Sequence, residues 1–334
     1  MKTSISKNGS IEFFRFIFIS VIVIWHFHNI VPVFQCGDFA VDFFFILAGA
    51  MLYRSFAIHP EQDSVQYTFK RVKRIFLPWV ITLVPIFFIR NRDNLFNGNY
   101  SFTHIFEHIL RFFHEVLFLG QHGMFHGTSN YASWFICVLI VGGGIIYSFL
   151  YFYREKAAML AFPVFSLLAL TYFYTLPPTE LWAIKGCFDV QFLRGCAEIA
   201  FGASVYFFAD RYQESLRKNI RVLNLIGVIA FIFLIILLFM PRRFAPYAPL
   251  CSSALVLSCL TDNSCLQKLL DKQIWFSLGG ISFEMLLIHG LVKPAVSYAG
   301  IGALPPFISI PLYYGLVIIS AYGLKWLNGV LQSK

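Results

Sequence analysis

Ten stretches of nearly continuous apolar residues recur along this 334-residue chain, and they leave it few possible folds. They fall at about 11–34, 39–57, 75–90, 131–153, 157–176, 188–209, 221–240, 246–262, 274–293 and 301–328. Most are close to the roughly 20 residues that a helix needs to cross bilayer hydrocarbon. In lipid the backbone amides must satisfy one another, so such runs fold as helices. With 58% hydrophobic and only 13% charged residues and a mean hydropathy of +0.70, the chain has too little polar surface for a soluble domain. The expected fold is all-α, a polytopic membrane bundle of about ten helices forming a single integral-membrane domain over 1–334. The third window is the shortest, and Arg194 and Glu198 interrupt the sixth.

The net charge of +9 raises nucleic acid as a partner, but its placement argues for a membrane. Lys70, Arg71, Lys73 and Arg74 follow the second window, Arg154 and Lys156 the fourth, and Arg211, Arg217 and Lys218 the sixth. The alternate connections are poorer in cations. By the positive-inside rule both termini are cytoplasmic, and the expected location is a bacterial-type inner membrane. Lys2 and Lys7 before an apolar run also fit a signal peptide. No small-residue cleavage site follows, however, and His26, His28 and Asn29 interrupt the run, which therefore reads as a retained helix. The seven cysteines are odd in number and form no CxxC pair, so neither a disulfide frame nor a metal site is implied.

Ionisable residues inside the windows are costly, and that makes them informative. The first window reads RFIFISVIVIWH from Arg15 to His26. Eleven helical steps return His26 to within about 20° of Arg15 and set the two roughly 16 Å apart. Arg15 also fits a residue snorkelling to headgroups, and His26 a helix contact. Asp42, in the second window, lies within roughly 6 Å of the depth of His26 and is expected to accept from it and fix its tautomer; the alternative is an interfacial acid. Arg71 and Arg74, three apart, share a helical face and suit phosphate oxygens, or else anionic lipid. Arg194 and Glu198, four apart, are expected to pair, with lining of an acceptor cavity as a second reading. The ninth window carries Glu284 to mid-membrane and His289 toward the outer end. The outer loop, 91–130, holds an amphipathic helix with His104, His108, Arg111 and Glu115 on its polar face, expected to lie in the interface. Its His104–His108 run matches a zinc-peptidase pattern, but no third ligand is identifiable and no metal is expected.

These residues also resemble a known family. An arginine, ten residues and a histidine in the first helix resemble the signature of the acyltransferase-3 family, membrane enzymes that O-acylate carbohydrates with acyl-coenzyme A. FFILAG resembles that family's Phe-Phe-x-x-Ser-Gly, with Ala48 in place of the serine. FKRVKRIFLPW resembles its Arg-x-x-Arg, NYASWFICVLI its tryptophan-led span at Trp134, and FSLGGISFEMLLIHG its Gly-x-Ser-Tyr with terminal histidine, Phe283 replacing the tyrosine. Trp134 equally fits an interfacial belt residue.

The resemblance implies transfer of acetyl from acetyl-coenzyme A to a hydroxyl of a cell-surface or exported carbohydrate, with the lipid bilayer as the other partner. His26 is then the general base, Asp42 its orienting acid, and Arg15 a guide for the thioester arm or a stabiliser of negative charge. Arg71 and Arg74 hold the donor, while Trp134, Arg194, Glu198, Glu284 and His289 line the substrate path. The competing class is a transporter or flippase with an intramembrane His/Asp/Arg relay.

Overall fold

The computed structural model describes residues 8–27, 33–96, 102–120, 129–185, 188–262 and 264–332. Helix α1 (Gly9–His26) begins where the Asn8 side chain accepts from the amides of Ser10 and Ile11, at 3.0 and 3.3 Å. It is followed by α2 (Ala40–Ile58), α3 (Ser64–Phe96) and α4 (Phe102–Val116). Helices α5 (Ser133–Cys137) and α6 (Gly143–Tyr153) are joined by a π turn into one span, Ser133–Tyr153, and a second π turn leads into α7 (Phe162–Thr175). A two-residue antiparallel ladder, Ile184–Lys185 with Phe188–Asp189, precedes α8 (Val190–Arg211). The remaining helices are α9 (Gln213–Lys218), α10 (Ile220–Leu237), α11 (Tyr247–Leu260), α12 (Cys265–Leu270), α13 (Gln273–Gly279), α14 (Ser282–Tyr298) and α15 (Pro306–Gln332).

Among the described residues, eight helices have the length and apolarity of a membrane span, or nine when α13 and α14, bent by 44°, are taken as one. The shorter apolar helix α11 completes a correspondence with the ten sequence windows. At the centre, α2 and α8 pack along each other because glycine faces backbone on both sides. Gly49 lies against the carbonyl of Ile199, and Gly202 against that of Ile46. At the periphery, α7, α10 and α15 expose Leu167, Leu168, Ile229, Ile232, Ile319 and Trp326, the surface expected against lipid.

Three features depart from the sequence reading. Helix α1 ends at His26 instead of continuing to residue 34, so His26 sits in the last turn rather than deep in a longer span; His28 and Asn29 lie outside the described residues. Helix α3 starts at Ser64, well before the apolar window at 75–90, and carries Arg71 and Arg74 on the helical face expected of them. Near the end of α4, Glu115 is 1% exposed and anchors the helix to protein instead of facing solvent, while Ile105, Ile109 and Phe113 on the same helix stay exposed. Its carboxylate accepts from the amides of Ser129 (2.5 Å) and Asn130 (3.3 Å) and from Ser133 Oγ (2.6 Å), while the indole of Trp79 donates to its backbone carbonyl at 2.9 Å.

Candidate active site

The candidate polar residues described inside the bundle sort into three groups. The first lines a cavity of about 770 Å³ between α1, α2, α3 and α14. Arg15, Arg54, Lys70, Arg71 and Arg74 supply its positive charge, and Glu12 and Glu284 its acids. Nη1 of Arg15 donates to both carboxylate oxygens of Glu12, at 2.9 and 2.8 Å, which leaves the other guanidinium nitrogens unclaimed by that acid. Arg71 is held in place by donation to the carbonyl of Leu139 (3.2 Å) and lies over the ring of Tyr67, 5.2 Å from its centroid. The hydroxyls of Tyr67 and Ser282 and Oε2 of Glu284 are buried without a hydrogen-bond partner among the described residues, which is unfavourable unless a ligand or water supplies one. Beyond these cations the wall turns apolar with Ile19, Ile22 and Leu286, and Ala48 contributes a methyl where the family pattern has a hydroxyl.

The second group lies one helical turn farther on. His26 follows Ile22 by four residues on α1, and His289 follows Leu286 by three on α14. Their ring centroids are 4.9 Å apart. Tyr131 stacks on His26 at 5.0 Å, and the cations of Arg90 and Lys293 lie 4.8 and 5.1 Å from the tyrosine ring centroid. Tyr131 is placed there by its neighbour. Asn130 donates from Nδ2 to the carbonyl of Leu287 (3.1 Å), accepts from the amide of Ala132 (3.0 Å), and is itself tied to Glu115. Gly290 permits this approach, since a Cβ there would meet Asn130 Oδ1 at 2.6 Å.

The third group is an enclosed ionic cluster. Arg194 pairs with Asp42 through Nη2 and with Glu198 through Nε (2.8 Å), and it lies 3.8 Å from Asp38. Arg242 closes the cluster on Asp38 at 3.1 Å, and the ring of Phe173 lies under the Arg194 guanidinium, 5.2 Å from centroid to cation. Arg194 is 2% exposed, and Asp42 and Glu198 are wholly buried.

These positions correct three readings. Asp42 does not orient His26: its carboxylate is taken by Arg194, because α2 packs on α8 and turns the acid toward the one buried guanidinium there. The expected Arg194–Glu198 pair is present, almost wholly buried and away from the cavity that Arg15 lines. Glu284, expected at mid-membrane, belongs with Arg15 and Arg74 in the cationic cavity, because the bend before Ser282 starts α14 beside the first turns of α1. The roughly 16 Å of helix between Arg15 and His26 also removes Arg15 from any atom that His26 contacts directly. Trp134 packs edge-to-face on Trp182 and Phe45, at 5.8 and 5.6 Å. The side chain of His104 lies outside the described residues.

The sequence reading passed over Tyr131, Asn130 and Arg54 and took Glu115 for a surface residue. For Asn130 and Tyr131 the available signal was their place immediately before the Trp134 helix, where a capping asparagine is common.

A family model described as an acyltransferase domain matches residues 8–326, nearly the whole chain. The chain belongs to the acyltransferase-3 family. It is therefore an integral-membrane acyltransferase, and the transporter reading is set aside. No curated protein and no solved structure matches it.

Proposed function

We propose that this acyltransferase moves acetyl from acetyl-coenzyme A to a hydroxyl of a cell-surface or exported carbohydrate, in a bacterial-type inner membrane with its cation-rich end cytoplasmic. One observation carries the reading: Arg15, Arg71 and Arg74 share a cavity with Arg54 and Lys70, and the apolar wall of that cavity ends one turn short of His26. Guanidinium groups match the phosphates of a coenzyme A headgroup. The stripe Arg15, Ile19, Ile22, His26 then runs parallel to an extended pantetheine arm, with the unpartnered hydroxyls of Tyr67 and Ser282 available to its amides.

In the reaction His26 takes the proton of the acceptor hydroxyl while its oxygen attacks the thioester carbonyl carbon. The new C–O bond forms, the C–S bond breaks, and the proton passes to the departing coenzyme A sulfur.

The test is a kinetic assay of purified protein in detergent at low salt, with labelled acetyl-coenzyme A and a hydroxyl-bearing oligosaccharide. Arg71→Ala with Arg74→Ala is expected to raise the KM for donor at least about 10-fold, since each lost charge-assisted hydrogen bond is worth about 1.5 to 3 kcal/mol. An unchanged donor KM would return both arginines to a lipid-anchoring role.

A further inference from the structure

His289 is buried deeper than the base it touches, and one of its nitrogens is unaccounted for. Nδ1 lies 2.7 Å from the carbonyl of Leu286, an acceptor, so Nδ1 carries the proton and Nε2 presents a lone pair. That Nε2 is wholly buried and has no partner among the described residues. A buried acceptor left unpaired is disfavoured by about 1 to 3 kcal/mol, so the site is built to receive an N–H or O–H. Two rings lie beside it: the imidazole of His26, 4.9 Å away centroid to centroid, and the ring of Tyr131, 6.3 Å away. Tyr131 lies flat on His26, and the cations of Arg90 and Lys293 lie over the same tyrosine ring. His26 is the half-buried member of the pair, with His289 behind it.

We propose that His289 is the positioning residue for His26: its Nε2 accepts the ring N–H of His26, and so leaves the second His26 nitrogen as the lone pair that meets the acceptor hydroxyl. The arrangement is a line of hydrogen bonds from His26 through His289 to the Leu286 carbonyl. It gives His289 the role that a carboxylate plays behind many catalytic histidines, without placing a charge there. His289 gains and loses no proton in the cycle. The hydroxyl proton goes to His26 and then to sulfur. Asp42 pairs through Oδ1 with Arg194 and is not hydrogen-bonded to His26.

The inference rests on the reading of His26 as the base, and its test separates the two. The variants are His289→Gln, which keeps an acceptor oxygen near the position of Nε2, and His289→Leu, which does not. Protein labelled with ¹⁵N-histidine is examined by solid-state NMR, with the His26 signals assigned by their loss in His26→Gln, and the same preparations are assayed for acetyl transfer. In the wild type with bound oligosaccharide His26 is expected to show one tautomer. His289→Leu should show a mixture, and His289→Gln should restore the single form. In parallel, kcat is expected to fall by about 10- to 100-fold in His289→Leu with both KM values held, and to recover most of the way in His289→Gln. Unchanged His26 resonances in His289→Leu overturn the proposal whatever the activity. Failure of the Gln variant to differ from the Leu variant, with both folded as judged by their thermal midpoints, also overturns it. If the wild type transfers nothing to the oligosaccharide, the acceptor assignment fails, while the tautomer measurement with the apoprotein still decides the pairing of the two rings.

Discussion

Arg194 shows how a single residue can be buried at great expense and still belong to structure. Its guanidinium serves Asp42 and Glu198 at once, and all three side chains are buried. Removing one partner from such a cluster leaves uncompensated buried charge, typically about 3 to 5 kcal/mol, whereas an uncharged replacement of similar shape is often neutral. Arg194→Met is therefore expected to lower the thermal midpoint in detergent sharply. The triple variant Asp42→Asn, Arg194→Met, Glu198→Gln should recover most of that loss and keep acetyl transfer within a few-fold of wild type. Should the triple variant fold and yet be inactive, the cluster acts in catalysis after all. The i, i+4 spacing of Arg194 and Glu198 made their pairing legible in the sequence, as it made Arg71 and Arg74 neighbours. The third member, Asp42, was not legible as such, because it reaches Arg194 across 152 residues of chain, and depth alone left His26 as its nearest candidate. The same blindness to long-range contact hid His289 behind His26, and turned Glu115 from a buried anchor into one more acid on an amphipathic face.

At the scale of elements, the polar groups keep their places because the helices carrying them cross closely. Helix α2 brings Asp42 to Arg194 only if α2 and α8 approach until Gly49 and Gly202 meet the opposing carbonyls. Gly49→Ala and Gly202→Ala each push a methyl into backbone, and overpacking of that kind costs about 1 to 3 kcal/mol. Both should lower the thermal midpoint and expression. Gly315→Ala on α15, where an added Cβ meets nothing within 4 Å, is the control expected to be neutral. Equal behaviour of all three would mean that α2 and α8 do not depend on this crossing. The existence and order of the helices followed from apolar run length, a local property of the chain. Their ends did not. Helix α1 stops at His26 although apolar residues continue beyond it, and α3 begins well before its apolar stretch, extended by the polar residues from Ser64 onward. Both displacements bear on function, since they set His26 in a terminal turn and seat Arg71 and Arg74 on a rigid helix.

For the molecule as a whole, the separation of the cationic cavity from the imidazole pair decides which side of the membrane each substrate reaches. Helix α1 has 18 residues and is about 27 Å long, close to the hydrocarbon thickness; Arg15 lies in its first half, and His26 ends it roughly 16 Å farther on. Under the proposed orientation, a donor bound at Arg71 and Arg74 enters from the cytoplasm, and its thioester is presented at the other end to a carbohydrate that never crosses. In sealed vesicles of uniform orientation, labelled acetyl-coenzyme A should therefore be used only from the face bearing Arg71 and Arg74, and label should appear on an oligosaccharide supplied from the opposite face. His26→Ala should abolish that label, with a loss on the order of 10² to 10⁴ in rate, while leaving donor binding intact, because the cavity ends short of His26. Label arising only when both substrates share a compartment would refute transfer across the membrane. Loss of donor binding in His26→Ala would refute the division of the site, since it would place the imidazole in the cavity that the arginines line.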